Sequence, residues 1–161
     1  MNTLEFAIGM EVEGQKYYLE QSEKNTNNEL YQIFQLLAAS EKEHAELLKN
    51  RQMQKEIEYK NNNTLSDIRG VFAGMQNFKG KLEQTTKQID VYRLALTMEE
   101  KSISLYFDML SQADNQQDKE LFIFLLQQEK EHRNLFEDLV ILLLRPEEWV
   151  ESAEFGVREE Y

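Results

Sequence analysis

The chain contains no cysteine, one proline and six glycines among its 161 residues. Without cysteine it can form no disulfide, no thiolate zinc site and no iron-sulfur or rubredoxin-type centre, so any electron carrier must be another molecule. Because proline and glycine disfavour helices most, their scarcity, together with abundant Glu, Gln, Lys and Leu, predicts an all-α fold. The apolar content of 41% is sufficient for the core of a single domain.

Basic residues and long apolar runs are also scarce. The chain has 18 basic and 30 acidic residues, and its net charge of −12 argues against a nucleic-acid partner, whose phosphates require a basic surface. The acidity could attract metal cations, although a solvated surface is the simpler interpretation. The strongest apolar run, Leu139 to Leu144, is too short to span a bilayer, and residues 1–10 do not resemble a secretory signal. We therefore expect a cytoplasmic protein that does not bind membranes.

One pattern of glutamate and histidine occurs twice, with an offset of 88 residues. In each copy, a glutamate is followed thirty residues later by a Glu-x-x-His sequence. The six residues are Glu11, Glu41 and His44 in the first copy and Glu99, Glu129 and His132 in the second. Other residues match at the same offset, namely Ala7 with Ala95, Met10 with Met98, Tyr18 with Tyr106, Phe34 with Phe122, Leu37 with Leu125 and Leu47 with Leu135. The shared register predicts a duplicated helical hairpin.

These six side chains form the set that a four-helix bundle needs to hold two metal ions. Within each Glu-x-x-His sequence the two side chains are three residues apart, so they project from one helical face and can reach the same ion. Glu11 and Glu99 lie in apolar helical stripes, where a carboxylate is costly to bury unless it is paired or bound to metal. Oxygen-rich coordination with two imidazoles suits iron or manganese better than structural zinc. We favour two iron ions per chain.

Two tyrosines lie near the predicted ligands. Tyr18 and Tyr106 each follow a predicted glutamate ligand by seven residues, which is two helical turns along the same face. Their hydroxyls could hydrogen-bond to metal-bound carboxylates. The alternative is that they are core aromatics with one polar edge.

Hydrophobic periodicity predicts four long helices arranged as two hairpins. The expected limits are about Thr3 to Lys24, an Asn cap near residue 25 to roughly Tyr59, about Thr86 to Ser111, and Asn115 or so to Leu144. If a pseudo-two-fold axis relates the hairpins, the connection at about residues 61–85 must cross the length of the bundle. It also contains a pattern typical of a short amphipathic helix, formed by Leu65, Ile68, Phe72 and Met75.

The bundle is expected to occupy residues 1–145 and to end at Arg145-Pro146. The remaining tail, residues 146–161, contains Trp149 and Phe155. It either folds a short helix back onto the bundle or contacts a partner chain. We expect a homodimer.

Four segments resemble the di-iron domain of the rubrerythrin family, within the ferritin-like superfamily. Ala7 to Tyr18 and Leu37 to His44 are similar to its first two helices, and Ala95 to Tyr106 and Leu125 to His132 are similar to its last two. The resemblance covers about residues 3 to 144. It implies a ferritin-like four-helix bundle with a non-haem di-iron centre that reacts with peroxide or dioxygen. By match, the implied ligands are Glu11, Glu41, His44, Glu99, Glu129 and His132.

The sequence departs from this family in two ways. Typical rubrerythrins carry a further glutamate ligand one turn after the third-helix glutamate, and here Ser102 occupies that position. One ion is therefore expected to have an open or water-filled position. Typical members also end in a cysteine-bearing rubredoxin domain that delivers electrons, whereas this chain has no cysteine. It resembles the short, rubredoxin-free members and would need an external electron-donor protein.

Three functions remain open. The first is an oxidoreductase that reduces hydrogen peroxide at a carboxylate-bridged di-iron centre, with Glu11, Glu41, Glu99 and Glu129 as candidates for bridging the ions or relaying protons. The second is a ferroxidase that oxidises Fe(II) with dioxygen and passes the iron onward. The third is a metal-binding bundle whose centre is catalytically idle.

Overall fold

The computed structural model describes residues 2–59, 64–74 and 86–144. These residues form five α-helices and no strand, which confirms the predicted all-α, ferritin-like bundle. The helices are α1 (Thr3–Glu23), α2 (Leu30–Gln52), α3 (Thr64–Gly74), α4 (Thr86–Ser111) and α5 (Gln116–Leu144). In these ranges, no helix has the length and apolar character needed to cross a bilayer. The tail at 146–161, most of the connection at 61–85 and the domain limit at 145 lie outside the described residues.

The end of α2 differs from the sequence prediction. The helix ends at Gln52 rather than near Tyr59. Gln54 has a positive φ of 59°, a left-handed conformation that stops the helix. The backbone N–H groups of Gln54 and Lys55 donate to the carbonyls of Arg51 and Asn50, at 3.0 and 2.9 Å, in the pattern of a Schellman motif. At the other end, the Asn28 side-chain oxygen accepts from the backbone N–H of Leu30 at 2.8 Å.

The helices of one hairpin pack antiparallel to the corresponding helices of the other. The Tyr18 hydroxyl of α1 donates to Glu99 of α4, and the Tyr106 hydroxyl of α4 donates to Glu11 of α1. Because the later residue of each helix meets the earlier residue of the other, α1 and α4 are antiparallel. The corresponding pairs between α2 and α5 are His44 with Glu129 and Glu41 with His132. Each contact recurs with the hairpins exchanged, as expected for the pseudo-two-fold axis.

Two apolar clusters occupy the two ends of the bundle. One contains Tyr18, Phe34 and Phe136, and the Tyr18 ring stacks on these two phenyl rings at centroid distances of 6.1 and 5.7 Å. The other contains Tyr106 and Phe122. Each fully buried side chain of this size stabilises the fold by roughly 1.5–3 kcal/mol through burial. The polar side chains of the predicted centre lie between the two clusters.

Candidate metal centre

Six buried polar side chains meet between the four long helices. α1 and α4 each contribute one glutamate, and α2 and α5 each contribute a glutamate and the histidine that follows it by three residues. An α-helix places residues three apart on the same face, so each Glu-x-x-His pair points into the bundle. The six residues, each at most 3% exposed, are Glu11, Glu41, His44, Glu99, Glu129 and His132. These are the six that the sequence singled out.

The six side chains divide into two groups that share two members. In each group, one ligand atom from every residue lies within 4.8 Å of the others. Glu41 and Glu129 belong to both groups, which is where carboxylates that bridge two ions would lie. The first group is Glu11, Glu41, His44 and Glu129, and the second is Glu41, Glu99, Glu129 and His132.

Both histidines direct the same ring nitrogen at the carboxylates. Nδ1 of His44 lies 2.9 Å from Glu129 Oε1 and 3.4 Å from Glu11 Oε2. Nδ1 of His132 lies 3.1 Å from Glu41 Oε1. The two imidazole rings are stacked, with centroids 5.9 Å apart. Nδ1 is therefore the nitrogen that each histidine presents to a cation.

The two tyrosines connect the hairpins. Tyr18 follows Glu11 along α1 but donates to Glu99 Oε1, and Tyr106 follows Glu99 along α4 but donates to Glu11 Oε1. Burial, followed by the charges of nearby carboxylates, raises the pKa of both hydroxyls well above the usual value, so they remain protonated donors. Both rings also lie in the apolar clusters. Each tyrosine therefore packs its ring in the core and also hydrogen-bonds to a candidate ligand.

The carboxylates are crowded in a buried site. Burial, and then the charges of neighbouring glutamates, raise the pKa of Glu41 and Glu99 well above the usual value. Burial acts the same way on Glu129, but its interactions with Glu99, His132 and His44 outweigh it and hold the pKa of Glu129 well below the usual value. In the absence of metal, Glu41 and Glu99 therefore favour their protonated forms, while Glu129 favours its charged form.

The histidines are held in their protonated form by the same carboxylates. Burial alone would lower the pKa of each imidazole. Contacts with Glu11 and Glu129 reverse this effect and hold the pKa of His44 well above the usual value. Contacts with Glu99 and Glu129 raise the pKa of His132 to about 10. A cation that enters the centre would have to displace these protons.

Several atoms of the candidate ligands have no hydrogen-bond partner in the part of the chain that the structure describes. They are the buried Oε2 atoms of Glu11, Glu99 and Glu129, and a buried polar atom without a partner is costly. Because three unpartnered carboxylate oxygens face the space that the two imidazoles also face, the residues fit two bound cations. A donor set of carboxylates and imidazoles suits iron or manganese.

Gly14 is a contributor to the centre that the sequence analysis missed. A Cβ atom at this position would lie 3.2 Å from Glu41 Oε2, so the absence of a side chain lets this carboxylate approach α1. Glycine inside a helix costs roughly 1 kcal/mol relative to alanine, which the close approach would offset. The sequence did contain an indication of Gly14, because the 88-residue offset that matches the candidate ligands also pairs Gly14 with Ser102.

Ser102 lies one turn after Glu99, as predicted, but does not belong to either ligand group. It is 7% exposed, and its hydroxyl donates to the backbone carbonyl of Met98 at 3.2 Å. The sequence analysis also missed Ser40 and Gln128, whose side-chain oxygens each lie 3.4 Å from Nε2 of His44. These two residues likewise match at the 88-residue offset.

Comparison with protein families found a match to the family described as Rubrerythrin, over residues 2–140. This range includes both Glu-x-x-His sequences and all six candidate ligands. Comparisons with curated proteins and with solved structures found no significant match.

Proposed function

This chain belongs to the rubrerythrin family, and from that premise we propose that it is a non-haem di-iron oxidoreductase that reduces hydrogen peroxide to water. The observation that carries the proposal is the pair of ligand groups that share Glu41 and Glu129. A carboxylate common to two groups is the arrangement expected of a bridged pair of ions. Manganese is the alternative metal, because it accepts the same ligands.

Each hairpin would contribute to both metal positions. Glu11 and His44 would hold one ion, and Glu41 and Glu129 would be shared with the other. The second ion would complete its ligands with Glu99 and His132. When bound, two ferrous ions supply the two electrons that cleavage of an O–O bond requires.

The side chains of the centre would supply the protons that the reaction consumes. Reduction of hydrogen peroxide to two waters consumes two protons, and burial favours the protonated forms of Glu41 and Glu99. The Tyr18 hydroxyl donates to Glu99 and so would keep that carboxylate oriented. Because the chain has no cysteine, an external electron-donor protein would return the centre to its reduced state.

Ferroxidation is the second candidate, and the side chain of Ser102 favours it. The Ser102 hydroxyl is already bonded to the carbonyl of Met98, so this position adds no negative charge beside Glu99. An ion held by fewer charged ligands would be bound less tightly after oxidation and would pass onward more readily. An idle centre is the third candidate.

Stopped-flow mixing of the anaerobic, Fe(II)-loaded protein separates these functions. We expect equimolar hydrogen peroxide to oxidise the iron faster than equimolar dioxygen, because peroxide needs only the two electrons that two ferrous ions supply. The His44→Ala/His132→Ala double variant, given the same Fe(II), measures oxidation outside the centre. Faster oxidation by dioxygen would favour the ferroxidase. Rates no higher than those of the double variant with either oxidant would indicate an idle centre.

A further inference from the structure

A cavity of about 330 Å³ lies between α1 and α4 and extends to the candidate metal centre. Buried residues, including Glu41 and Glu99, line its inner end. Exposed residues, including Phe6 and Lys101, line its outer end. The cavity therefore connects the surface of the bundle with the carboxylates of the centre.

The cavity exists because two small side chains face each other. Gly14 and Ser102 occupy matching positions in the two copies of the repeat, and both line the cavity. The antiparallel packing of α1 and α4 places them opposite each other, between the contacts made by Tyr18 and Tyr106. A larger side chain at either position would occupy the space next to the carboxylates.

The walls of the cavity are mostly apolar. Met10 and Met98, another pair matched by the repeat, line it together with Phe6. Hydrogen peroxide has two heavy atoms and no apolar part, whereas this cavity has about ten times the volume of roughly 30 Å³ that a water molecule occupies in the liquid. Neither the size nor the apolar walls would help to bind hydrogen peroxide.

The charges at the outer end disfavour a charged ligand. Glu13 and Lys101 are both exposed and both line the cavity, so one acidic and one basic side chain are present there. Neither sign of charge is attracted overall. The cavity has a polar inner end, apolar walls and an opening whose two charges are of opposite sign. This combination suits a neutral molecule with one polar end.

We propose that the preferred substrate is an organic hydroperoxide, ROOH, whose neutral apolar group lies against Met10 and Met98 while its hydroperoxide end faces Glu41 and Glu99. This inference rests on the proposed function and refines it. The O–O bond of ROOH would break, and two electrons supplied by a bound ferrous pair, together with two protons, would give ROH and water. An external electron donor would restore the two electrons.

The first test compares two hydroperoxides. Anaerobic di-Fe(II) protein is mixed with cumene hydroperoxide or with hydrogen peroxide, and each second-order rate is divided by the rate for free Fe(II) in the same buffer. Two buried methylene groups correspond to about a tenfold gain, so we expect the normalised rate to be at least about tenfold higher for cumene hydroperoxide. Equal rates, or a faster rate with hydrogen peroxide, would overturn the inference and leave the proposed function intact. No reaction with either would overturn both.

The second test measures binding without turnover. The full chain, loaded with diamagnetic Zn(II) and labelled with carbon-13 at its methionine methyl groups, is titrated with 2-phenyl-2-propanol, the alcohol product. We expect saturable shifts of the Met10 and Met98 resonances. Met53, which is 54% exposed at the end of α2, is the internal control and should not shift. Absent shifts at Met10 and Met98, or equal shifts at Met53, would overturn the inference.

A matched pair of variants tests whether the preference for cumene hydroperoxide depends on the cavity. Met10→Trp should reduce the ratio of the two normalised rates at least about fivefold by filling the space, whereas Met53→Trp should leave the ratio unchanged. Met98→Phe should act in the same direction as Met10→Trp and replaces it if that variant does not fold. Intact mass spectrometry checks that iron, rather than methionine sulfur, consumed the hydroperoxide. Equal ratios in cavity and control variants, or stoichiometric methionine oxidation, would contradict the proposal.

Discussion

The two halves of the candidate metal centre have equivalent candidate ligands but different surroundings. Nε2 of His44 lies 3.4 Å from both Ser40 Oγ and Gln128 Oε1, whereas Nε2 of His132 has no hydrogen-bond partner among the described residues. A partner on the far nitrogen orients a ligating imidazole and increases its basicity. Although the repeat provides the same ligands twice, we therefore expect the half-site of His44 to bind its ion more tightly.

The residues one turn after Glu11 and Glu99 differ as well. Gly14 leaves room for Glu41 to approach α1, whereas the Ser102 hydroxyl bonds to its own helix backbone. The duplicated hairpins thus differ at positions that surround the ligands rather than at the ligands themselves. The two copies therefore share the same set of candidate ligands, and we expect their binding strength and access to differ.

Removing a shared carboxylate should have the largest effect. Glu41→Ala or Glu129→Ala deletes a ligand from both groups, so we expect both ions to be lost after anaerobic dialysis. Glu99→Ala deletes a ligand from only one group and should retain close to one ion. Glu100→Ala, a change at an exposed neighbouring carboxylate, is the control and should retain two. Two ions retained by Glu41→Ala would show that this residue does not bridge, and metal analysis of each variant gives the answer.

The two histidine variants test whether the half-sites are unequal. His44→Ala and His132→Ala should each weaken binding of one ion by at least about tenfold, and the loss should be greater for His44→Ala. Competition with a chelator under anaerobic conditions measures both affinities. Equal losses would contradict the proposed asymmetry. Two tightly bound ions in the double variant would contradict the assignment of both ligands.

As pH rises, the Tm of the metal-free protein should fall, and the gain in Tm on adding metal should increase. The pKa of His132 is raised to about 10 from an unfolded value near 6.5, so its contribution to stability is complete below about pH 6.5 and is lost as pH rises toward 10. The raised pKa values of Glu41 and Glu99 act in the same direction. We expect the Tm of the metal-free protein to fall by several degrees between pH 6 and pH 9.

Metal binding should offset this loss. Because the ion binds deprotonated ligands and stabilises only the folded state, the gain in Tm on adding Fe(II) or Mn(II) should grow over the same pH range. Melting curves with and without metal at each pH measure both effects. A metal-free Tm that is constant from pH 6 to pH 9 would contradict the protonation states described for the centre.

The tyrosine variants should have the smallest effects. Tyr18→Phe and Tyr106→Phe each remove a hydroxyl that donates to a buried glutamate and leave that acceptor unpaired, which should reduce the free energy of unfolding by about 1–3 kcal/mol. Tyr31→Phe, at an exposed position, is the control. Urea unfolding of the metal-free proteins measures the difference. Losses no larger than that of the control would show that the two hydroxyls do not stabilise the centre.

The repeat in the sequence predicted much of the fold. The limits of α4 agree with the predicted Thr86 to Ser111, because its apolar periodicity is uninterrupted. The predicted end of α2 was wrong. Gln54 adopts the left-handed conformation that ends the helix, but this position is usually occupied by glycine, and a glutamine there does not mark a helix end in the sequence.

The sequence predicted which residues meet in the candidate site but not which of them contact each other. The 88-residue offset identified the six side chains that meet. Which carboxylates are shared depends on how the helices rotate and slide relative to each other, and one-dimensional spacing does not fix that. For the same reason, the sequence could not show that Tyr18 reaches Glu99 rather than Glu11.

Anomalous diffraction from crystals of the Mn(II)-loaded protein tests the shared-ligand arrangement most directly. We expect two anomalous peaks, roughly 3.5–4 Å apart as in other two-metal sites, with Glu41 and Glu129 bound to both ions. Each ion should also contact one glutamate and one histidine, Glu11 with His44 or Glu99 with His132. A single peak, or two peaks that have neither Glu41 nor Glu129 in common, would contradict this account.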